Sequence, residues 1–428
     1  MTNTSSLKKL EYESTHTPLP DHLIEENILI RLAVKPLIRF KSESKGWFSM
    51  ISSTKFTKKH FKLWYPSNDR SLIVQDDRDT VGEDKYYLSF DENYNVNEFV
   101  ELRNKYPAFK FNAQSTYVVG SSNGLLCMYN ENIMRMYVWN PATNQVRDTS
   151  GPVLCKWDDY ETRCAGFSYV SSIDDYKIGC LIFYNETLFI FVYSLKNGLW
   201  TQRPKRKWYY ELMFEYLDET PAFVRDTLYW FPDRIEDERN CIIGLDLVEE
   251  DMVMIPLSIR FPGEFATVRL FQMQGRLTFC LIDNDNGRNY CHVRTMTEHR
   301  DKGDATMWAI SWENELTLNY IGKNFVYLFD TGKCLVNKIS HQSQQLMLHE
   351  LSKVSSSEQE QEQEQEQEQE QEQEQEQEQE EEEQEQEEEE EEPLDEGTVV
   401  WESVDRGNLF RYFSGAAFGY SESLISPF

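Results

Sequence analysis

The chain has 428 residues, of which 40% are hydrophobic and 14% are aromatic, enough to build a large folded core. Its formal charge of −31 is uneven, because 22 of its 74 acidic residues are the glutamates of one run, Glu358–Glu392, and the rest of the chain is only mildly acidic. Such a surface repels nucleic-acid phosphate and favours basic protein partners, so we expect no nucleic-acid ligand.

The chain lacks the patterns of secreted and membrane proteins. Residues 1–16 hold no apolar stretch and are expected to be disordered, and no run approaches the roughly 18 apolar residues of a membrane span. The eight cysteines form no CxxC pair and mostly lie in apolar runs, which is typical of reduced thiols in an intracellular protein. We therefore expect a cytoplasmic and/or nuclear location, no membrane contact, no disulfide frame and no zinc site.

The segment from Leu19 to Phe61 has the spacing of short helices and holds more apolar side chains than so few residues can bury. Pro20 suits the first turn of the first helix. The apolar residues of this helix form one stripe only if Asn27 is an extra residue, which predicts a single-turn π-bulge. Pro36 is predicted to open a second helix, and Lys45–Ile51 to form a third. A partner is expected to cover the apolar surface that remains.

This segment resembles the F-box of the large plant F-box family. The matching residues are Leu19-Pro20, Glu26–Leu32, Val34-Lys35, Leu37, Arg39–Lys41, Lys45, Trp47, Ile51-Ser52, Phe56 and His60. The resemblance implies a three-helix F-box over residues 17–61 that docks on a Skp-type adaptor and, through it, on a cullin. With Trp47 as the expected anchor, the residues predicted to form or support the adaptor face are Leu19, Pro20, Ile24, Ile28, Leu29, Leu32, Pro36, Leu37 and Trp47.

Some positions depart from the family pattern. Asn27 is inserted, Ala33 and Pro36 replace the usual Pro and Ser, and Glu43-Ser44 replaces the common apolar residue and Cys. If these changes abolish docking, the chain is a protein-binding module with a degenerate F-box and no ligase role. A plain helical hairpin that caps a larger domain is a further alternative.

From about Leu72 the pattern changes to short runs of β-branched and aromatic residues separated by turn signals. Thirteen clear runs lie between Tyr117 and Trp401 with no helical pattern between them, which predicts an all-β domain over residues 70–350 and 397–428. Hairpin centres near residues 141, 197 and 249 recur about every 50 residues, as expected for four-stranded propeller blades. The C-terminal strands would close such a ring, and a β-sandwich pair is the alternative architecture.

Landmarks in this region resemble the plant F-box-associated domain, which is sometimes grouped with kelch-type propellers. They are Gly120–Cys127, Val138–Thr143, Gly166–Tyr169, Asp174–Lys177, Val192–Leu195, Trp200, Thr227–Trp230, Asp246-Leu247, Glu250, Ile255–Leu257 and Tyr420–Leu424. The resemblance implies the substrate-recognition subunit of an SCF-type (Skp-cullin-F-box) ubiquitin ligase, which presents a bound target protein for ubiquitination and degradation. S-locus F-box proteins are similar in layout, and for that type the implied target is a ribonuclease.

Residues 355–394 form a Glu/Gln-rich stretch inside the β domain. The run Glu358–Glu392 holds 22 Glu and 13 Gln and no apolar residue, so it cannot bury a face, and glutamates four apart repel one another in a helix. We predict a disordered insert. A neutral repeat expansion and a polyanion that attracts basic targets are both open interpretations.

No motif in the sequence indicates catalysis. Phosphate-binding loops, HExxH, G-x-S-x-G and paired metal-binding histidines are missing. Asp283–Gly287 resembles the start of an EF-hand loop but lacks its glutamate, so a hairpin loop is favoured. The basic cluster Arg203–Lys207 is interpreted as a solvated loop between strands, with a nuclear-localisation patch and a nucleic-acid site as alternatives. We predict no catalytic residue, cofactor or metal; a propeller enzyme would need acids or histidines converging in its channel.

Overall fold

The computed structural model describes residues 20–64, 71–75, 85–91, 93–102, 116–130, 135–150, 162–184, 187–204, 206–207, 212–213, 221–231, 234–235, 241–256, 267–285, 288–300, 308–320, 324–329, 331–339, 343–350, 352–353, 398–404 and 417–428. The chain divides into two compact units, Met1–Trp64 and Tyr65–Phe428. Leu19 and the acidic run lie outside the described residues.

The described part of the first unit is helical. Its elements are α1 (Asp21–Asn27), a 3-10 helix (Leu29–Arg31), α2 (Val34–Phe40), α3 (Lys45–Ile51) and α4 (Thr54–Trp64). The bounds of α3 match the prediction, whereas α2 begins two residues before Pro36. The helix α4 was not predicted, so the described segment has one α-helix more than the three expected.

The predicted π-bulge at Asn27 is wrong. The helix α1 ends at Asn27, whose side-chain amide donates to Leu23 O at 3.2 Å, and Ile28 has φ −115° and ψ −67°. The chain then continues as the 3-10 helix, in which Leu29 and Ile30 are buried. The extra residue is therefore accommodated by ending the α-helix and tightening the next turn, which is a common way to end a helix.

A stack of aromatic rings holds α4 against the residues that follow α1. Phe56, His60 and Trp64 stack at centroid distances of 6.0 and 5.8 Å. A ring nitrogen of His60 lies 2.8 Å from Leu32 O, and Trp64 Nε1 donates to Ile30 O at 3.2 Å. Burial lowers the pKa of His60 below its ordinary value, against a smaller upward effect of the Leu32 hydrogen bond. The neutral imidazole is therefore part of the helical core.

The second unit consists of strands. In chain order they are β1 Ser71–Gln75, β2 Lys85–Phe90, β3 Val96–Glu101, β4 Thr116–Ser122, β5 Leu125–Asn130, β6 Arg135–Asn140, β7 Gln145–Asp148, β8 Thr162–Val170, β9 Asp175–Tyr184, β10 Thr187–Ser194, β11 Leu199–Gln202, β12 Arg206–Lys207, β13 Leu212–Met213 and β14 Ala222–Val224. They continue as β15 Thr227–Trp230, β16 Arg234–Ile235, β17 Cys241–Asp246, β18 Asp251–Pro256, β19 Thr267–Met273, β20 Arg276–Asp285, β21 Arg288–Arg300, β22 Trp308–Tyr320, β23 Asn324–Leu328, β24 Lys333–Ile339, β25 Ser343–Glu350, β26 Ser352–Lys353, β27 Thr398–Val404 and β28 Ala417–Gly419.

These strands build a six-bladed β-propeller, which confirms the predicted architecture and excludes the sandwich. The blades, each an antiparallel sheet, have the strand orders β28-β1-β2-β3, β4-β5-β6-β7, β8 to β11 with β12 beside β10, β14-β15-β17-β18, β19-β20-β21-β22-β26 and β23-β24-β25-β27. The strands β13 and β16 pair separately. Each of the thirteen predicted runs overlaps one of these strands.

The two ends of the propeller unit build its first blade together. The strand β28 pairs with β1 in the register Leu72↔Gly419, Ile73↔Phe418 and Val74↔Ala417. First strands of neighbouring blades also contact one another, as β28 does with β4 and β23. The predicted closure of the ring by C-terminal strands is therefore confirmed.

Apolar cores lie between neighbouring blades. Leu181 and Ile190 of the third blade, for example, pack with Trp230 and Leu245 of the fourth. Further cores join the second blade to the third, the sixth to the first, the first to the second and the fourth to the fifth. Adding a Cβ to Gly179 would place it 2.5 Å from Leu245 Cδ2, so glycine permits this close approach of two blades.

Three blades share one kind of turn between their third and fourth strands. A side-chain oxygen of the last strand residue accepts the N–H three residues later, in the pairs Asn140–Thr143, Ser194–Asn197 and Asp246–Glu249, at 3.1, 3.0 and 2.9 Å. The next residue has a left-handed backbone, with φ values of 60°, 69° and 55° at Asn144, Gly198 and Glu250. This turn explains the recurring hairpin centres in the sequence.

The residues after β28 lie across the second blade. Asn140, which is fully buried, donates from Nδ2 to Ser423 O at 3.0 Å and to Ile425 O at 2.6 Å. A Cβ on Gly124, whose φ is +78°, would lie 2.4 Å from Ser421 O. The C-terminal segment is thus held by a buried amide and fits closely over a glycine.

We predict that Asn140→Ala destabilises the propeller by about 2–4 kcal/mol, because it removes three hydrogen bonds and takes this donor from a buried and a partly buried carbonyl oxygen. Urea unfolding followed by tryptophan fluorescence measures this change. The exposed neighbour Gln145 provides the control, since Gln145→Ala should alter the free energy of unfolding by less than about 0.5 kcal/mol. Equal stabilities of the two variants would contradict the role assigned to Asn140.

We also predict that the helical unit loses stability as the pH falls. Burial lowers the pKa of His60 in the folded state. As the pH falls through about 6.5, the unfolded chain therefore binds a proton at His60 before the folded chain does, and acid favours unfolding. Hydrogen exchange of the α4 amides, corrected for intrinsic rates, should show weaker protection at pH 5.5 than at pH 7.5. The His60→Phe variant should lose this pH dependence, and the exposed-site control His22→Phe should keep it.

Candidate functional site

Most of the predicted adaptor residues lie in the described helical unit, but they differ in accessibility. Pro20 is exposed and is the N-cap of α1, not its first residue. Ile28 is 47% exposed, between α1 and the 3-10 helix. In contrast, Leu29 and Leu37 are 1% and 0% exposed. These two leucines can only support an interaction surface from inside, whereas Ile28 can contact a partner directly.

The remaining predicted residues are half-buried. They are Ile24 of α1, Leu32 after the 3-10 helix, Pro36 of α2 and Trp47 of α3. Each of them presents part of its side chain to solvent and part to the helical core. The structure therefore places the predicted set as a buried layer with partly exposed residues around it.

Trp47 is positioned by contacts at both its backbone and its ring. Its N–H donates to Oγ of Ser44, the N-cap of α3, at 3.1 Å. Its ring packs edge-on against Phe40 of α2, with centroids 5.3 Å apart and planes at 74°. Ser44, one of the departures from the family pattern, therefore has a structural role as a helix cap.

Two further exposed apolar residues were not included in the predicted face. Leu23 of α1 is 41% exposed and Phe48 of α3 is 57% exposed. The sequence did contain a signal for them, because the segment holds more apolar side chains than it can bury. The spacing argument placed Leu23 in the apolar stripe of the first helix but could not identify which members of the stripe stay exposed, and it did not include Phe48.

The predicted basic cluster is partly built into the propeller. Arg203 Nη2 lies 3.1 Å from Oε2 of Glu250, whose other oxygen lies 2.8 Å from Nζ of the buried Lys177. Arg206–Lys207 is the strand β12, beside β10. The predicted solvated loop between strands is therefore confirmed for the exposed Arg203 and Pro204, which lie between β11 and β12, whereas the backbone of Arg206–Lys207 is paired as a strand. Trp208 lies outside the described residues.

The EF-hand-like stretch forms a hairpin in its described part. Asp283 pairs with Tyr290 and Asp285 pairs with Arg288, across β20 and β21. This agrees with the hairpin predicted for Asp283–Gly287. Among the described residues, no group of three or more His, Cys, Asp or Glu side chains could hold a metal ion.

The described cysteines are poorly placed for chemistry. Cys127, Cys164, Cys180, Cys241 and Cys334 are free and buried, as predicted. Burial raises the pKa of Cys241 to about 11 and that of Cys334 to about 12, so both thiols stay protonated at neutral pH. Cys280 differs from the prediction, because it is disulfide-bonded.

Tyr169 and Tyr176 form an aromatic pair with centroids 4.9 Å apart, near the turn between β8 and β9. Burial, and then the hydrogen bond from Tyr169 to Asp174, raise the pKa of Tyr169 to about 12. Asn123 donates to the Tyr176 hydroxyl at 3.0 Å. These phenols are neutral structural groups.

No helix in the described ranges is long and apolar enough to span a bilayer.

Comparisons with known proteins agree with this architecture. The family model described as F-box associated beta propeller domain matches residues 80–380. An F-box/kelch-repeat protein of Arabidopsis thaliana is 29% identical over 265 residues, which are 61% of this chain and 71% of that protein. A second protein of that name from the same plant is 25% identical over 364 residues, which are 79% of this chain and 80% of the relative. The chain belongs to the F-box associated beta propeller domain family.

Proposed function

We propose that this chain is the substrate-recognition subunit of an SCF-type ubiquitin ligase. The observation that carries the proposal is the combination of a propeller of the F-box associated family with a small helical unit that leaves Leu23, Ile28 and Phe48 exposed. Exposed apolar side chains on so small a unit favour a protein partner. In this proposal that partner is a Skp-type adaptor, which joins the chain to a cullin.

The adaptor face is proposed to consist of the accessible members of the predicted set. Ile24, Ile28 and Trp47 would contact the adaptor, with Trp47 as the anchor, because tryptophan is enriched among residues that dominate binding energies. The buried Leu29 and Leu37 would fix the backbone beneath them. Leu19, Pro20, Leu32 and Pro36 complete the proposed face.

The propeller would hold the target protein and make or break no bond itself. Holding a target lysine beside a ubiquitin thioester raises their effective concentration, which is sufficient to accelerate transfer. The mild acidity of the chain outside the acidic run favours a basic target. If the chain is of the S-locus type, that target is a ribonuclease. A cytoplasmic and/or nuclear location, without nucleic-acid or membrane contact, is consistent with this role.

Substitution of an exposed residue tests the adaptor face. We expect Ile28→Asp to reduce co-purification with a plant Skp-type adaptor by about tenfold or more, because a carboxylate would be desolvated in an apolar interface. The matched control is Leu199→Asp on the propeller, where the leucine is 65% exposed; this variant should bind the adaptor like the parent chain. Trp47→Ala should also weaken binding.

The same assay separates a ligase subunit from a binding module with a degenerate F-box. If the parent chain fails to capture the adaptor, the degenerate F-box is the correct description. If Ile28→Asp binds as tightly as the parent, the proposed face is wrong. Circular dichroism of each variant verifies that the strands and helices are retained.

A further inference from the structure

A groove lies on the helical unit beside α4. Its volume is about 610 Å³, and it is lined by Glu26, Ile30, Arg31, Lys59, Lys62 and Leu63. This volume is comparable to sites that hold a small ligand or a few side chains. None of the lining residues belongs to the predicted adaptor face, so the groove requires a separate explanation.

Two lysines of α4, Lys59 and Lys62, line the groove. Lys55, Lys58, Lys59 and Lys62 are all exposed and follow one side of the helix, and Thr54–Trp64 contains no acidic residue. The buried residues Phe56 and His60 occupy the other side. The helix therefore presents a row of positive charge along the groove.

Among the residues that the structure describes, one carboxylate pairs with a cation of the groove. Glu26 Oε1 lies 3.4 Å from Lys59 Nζ, and both side chains are about half exposed. Such an exposed pair contributes little binding energy. Arg31 and Lys62 have no ion-pair partner among the described residues. The groove therefore has unbalanced positive charge for a ligand to neutralise.

Apolar surface lies within the same groove. Leu63 is 53% exposed although its neighbours on α4, His60 and Trp64, are stacked in the core. Ile30 lies at the wall and is only 4% exposed. An exposed leucine in a groove that is also lined by cations favours a ligand that carries both negative charge and an apolar side chain.

We propose that this groove is a docking site for an acidic, leucine-bearing segment of a partner protein. Carboxylates of the segment would pair with Arg31 and Lys62, and a leucine would cover Leu63. Nucleic acid fits less well, because the exposed apolar group of the lining is aliphatic and the lining contains no ring on which a base can stack. The site goes beyond the proposed function, since its lining shares no residue with the proposed adaptor face.

The test measures fluorescence anisotropy of the full chain with a labelled synthetic helical peptide that has a leucine stripe flanked by glutamates. The parent chain should bind this peptide, and Arg31→Glu combined with Lys62→Glu should weaken binding by about tenfold or more, since attraction becomes repulsion at two positions. Leu63→Ser should weaken it about fivefold, because apolar burial is lost. Salt should weaken the parent complex.

Matched controls separate local docking from net charge. Lys35→Glu combined with Lys45→Glu makes the same change in charge at exposed sites outside the groove, and should change the affinity by less than about twofold. Polyglutamate of equal length should bind less tightly than the leucine peptide, and Leu63→Ser should not affect it. Circular dichroism reports the fold of each variant.

Several results would overturn the proposal. They are no binding of the leucine peptide by the parent chain, equal affinity for polyglutamate, tighter binding of polyuridylate RNA, or an equal loss in the control pair. Because adaptor capture is measured separately with Ile28→Asp, failure of the groove proposal and failure of the ligase proposal can be distinguished.

Discussion

The antiparallel pairing of β28 with β1 is the interaction on which the propeller depends. A sheet with a free edge exposes unpaired N–H and C=O groups, and closing the ring leaves only short edges on the outer strands. Here the first and last strands of the unit meet in one blade, in the register Ile73↔Phe418, and Tyr420 N donates to Ser71 O at 2.8 Å. The first blade is therefore completed by a strand from the C-terminal end of the unit.

Antiparallel pairing also determines where the turns lie. Because strands alternate in direction, the third-to-fourth turn of a blade is at the same end of the strands as the first-to-second turn, where the first two strands are consecutive in the chain. The recurring turns at Asn140, Ser194 and Asp246 are therefore on one face of the propeller. In the sixth blade, the same third-to-fourth connection runs from β25 to β27, which pair at Leu348↔Thr398, and it includes the acidic run. Loop-closure entropy grows only logarithmically with length, so a long connection between paired strands costs little.

Local chemistry explains what the sequence could predict. The strands could be predicted because the turns between them, such as Asn140–Asn144 and Asn197-Gly198, depend on residues close in sequence. Asn and Gly favour the hydrogen bonds and left-handed conformations of these turns, so the turns can be recognised in the sequence. The bounds of α3 were predictable for the same reason. The number of blades was not, because their strands and connections vary in length and no sequence word recurs.

The end of α1 shows where prediction from local sequence patterns fails. A π-bulge and a 3-10 turn both absorb an extra residue, and the choice here depends on α4. His60 and Trp64 contact the carbonyl oxygens of Leu32 and Ile30, which are 28 and 34 residues away in sequence. The local periodicity of the sequence cannot reveal contacts between residues so far apart in the chain. The same limit applies to the candidate site, since burial of Leu29 and exposure of Ile28 follow from this turn.

The exposure of Ile28 is difficult to explain by the stability of the helical unit alone. Its N–H donates to Ile24 O at 3.1 Å, a backbone bond that any residue except proline can make, while nearly half of its side chain is in water. A polar residue would satisfy the same backbone conformation without exposing apolar surface. The unit already has a core, since Leu37, Ile51 and Phe56 are fully buried. In the proposed function, this apolar side chain would be covered when the adaptor binds.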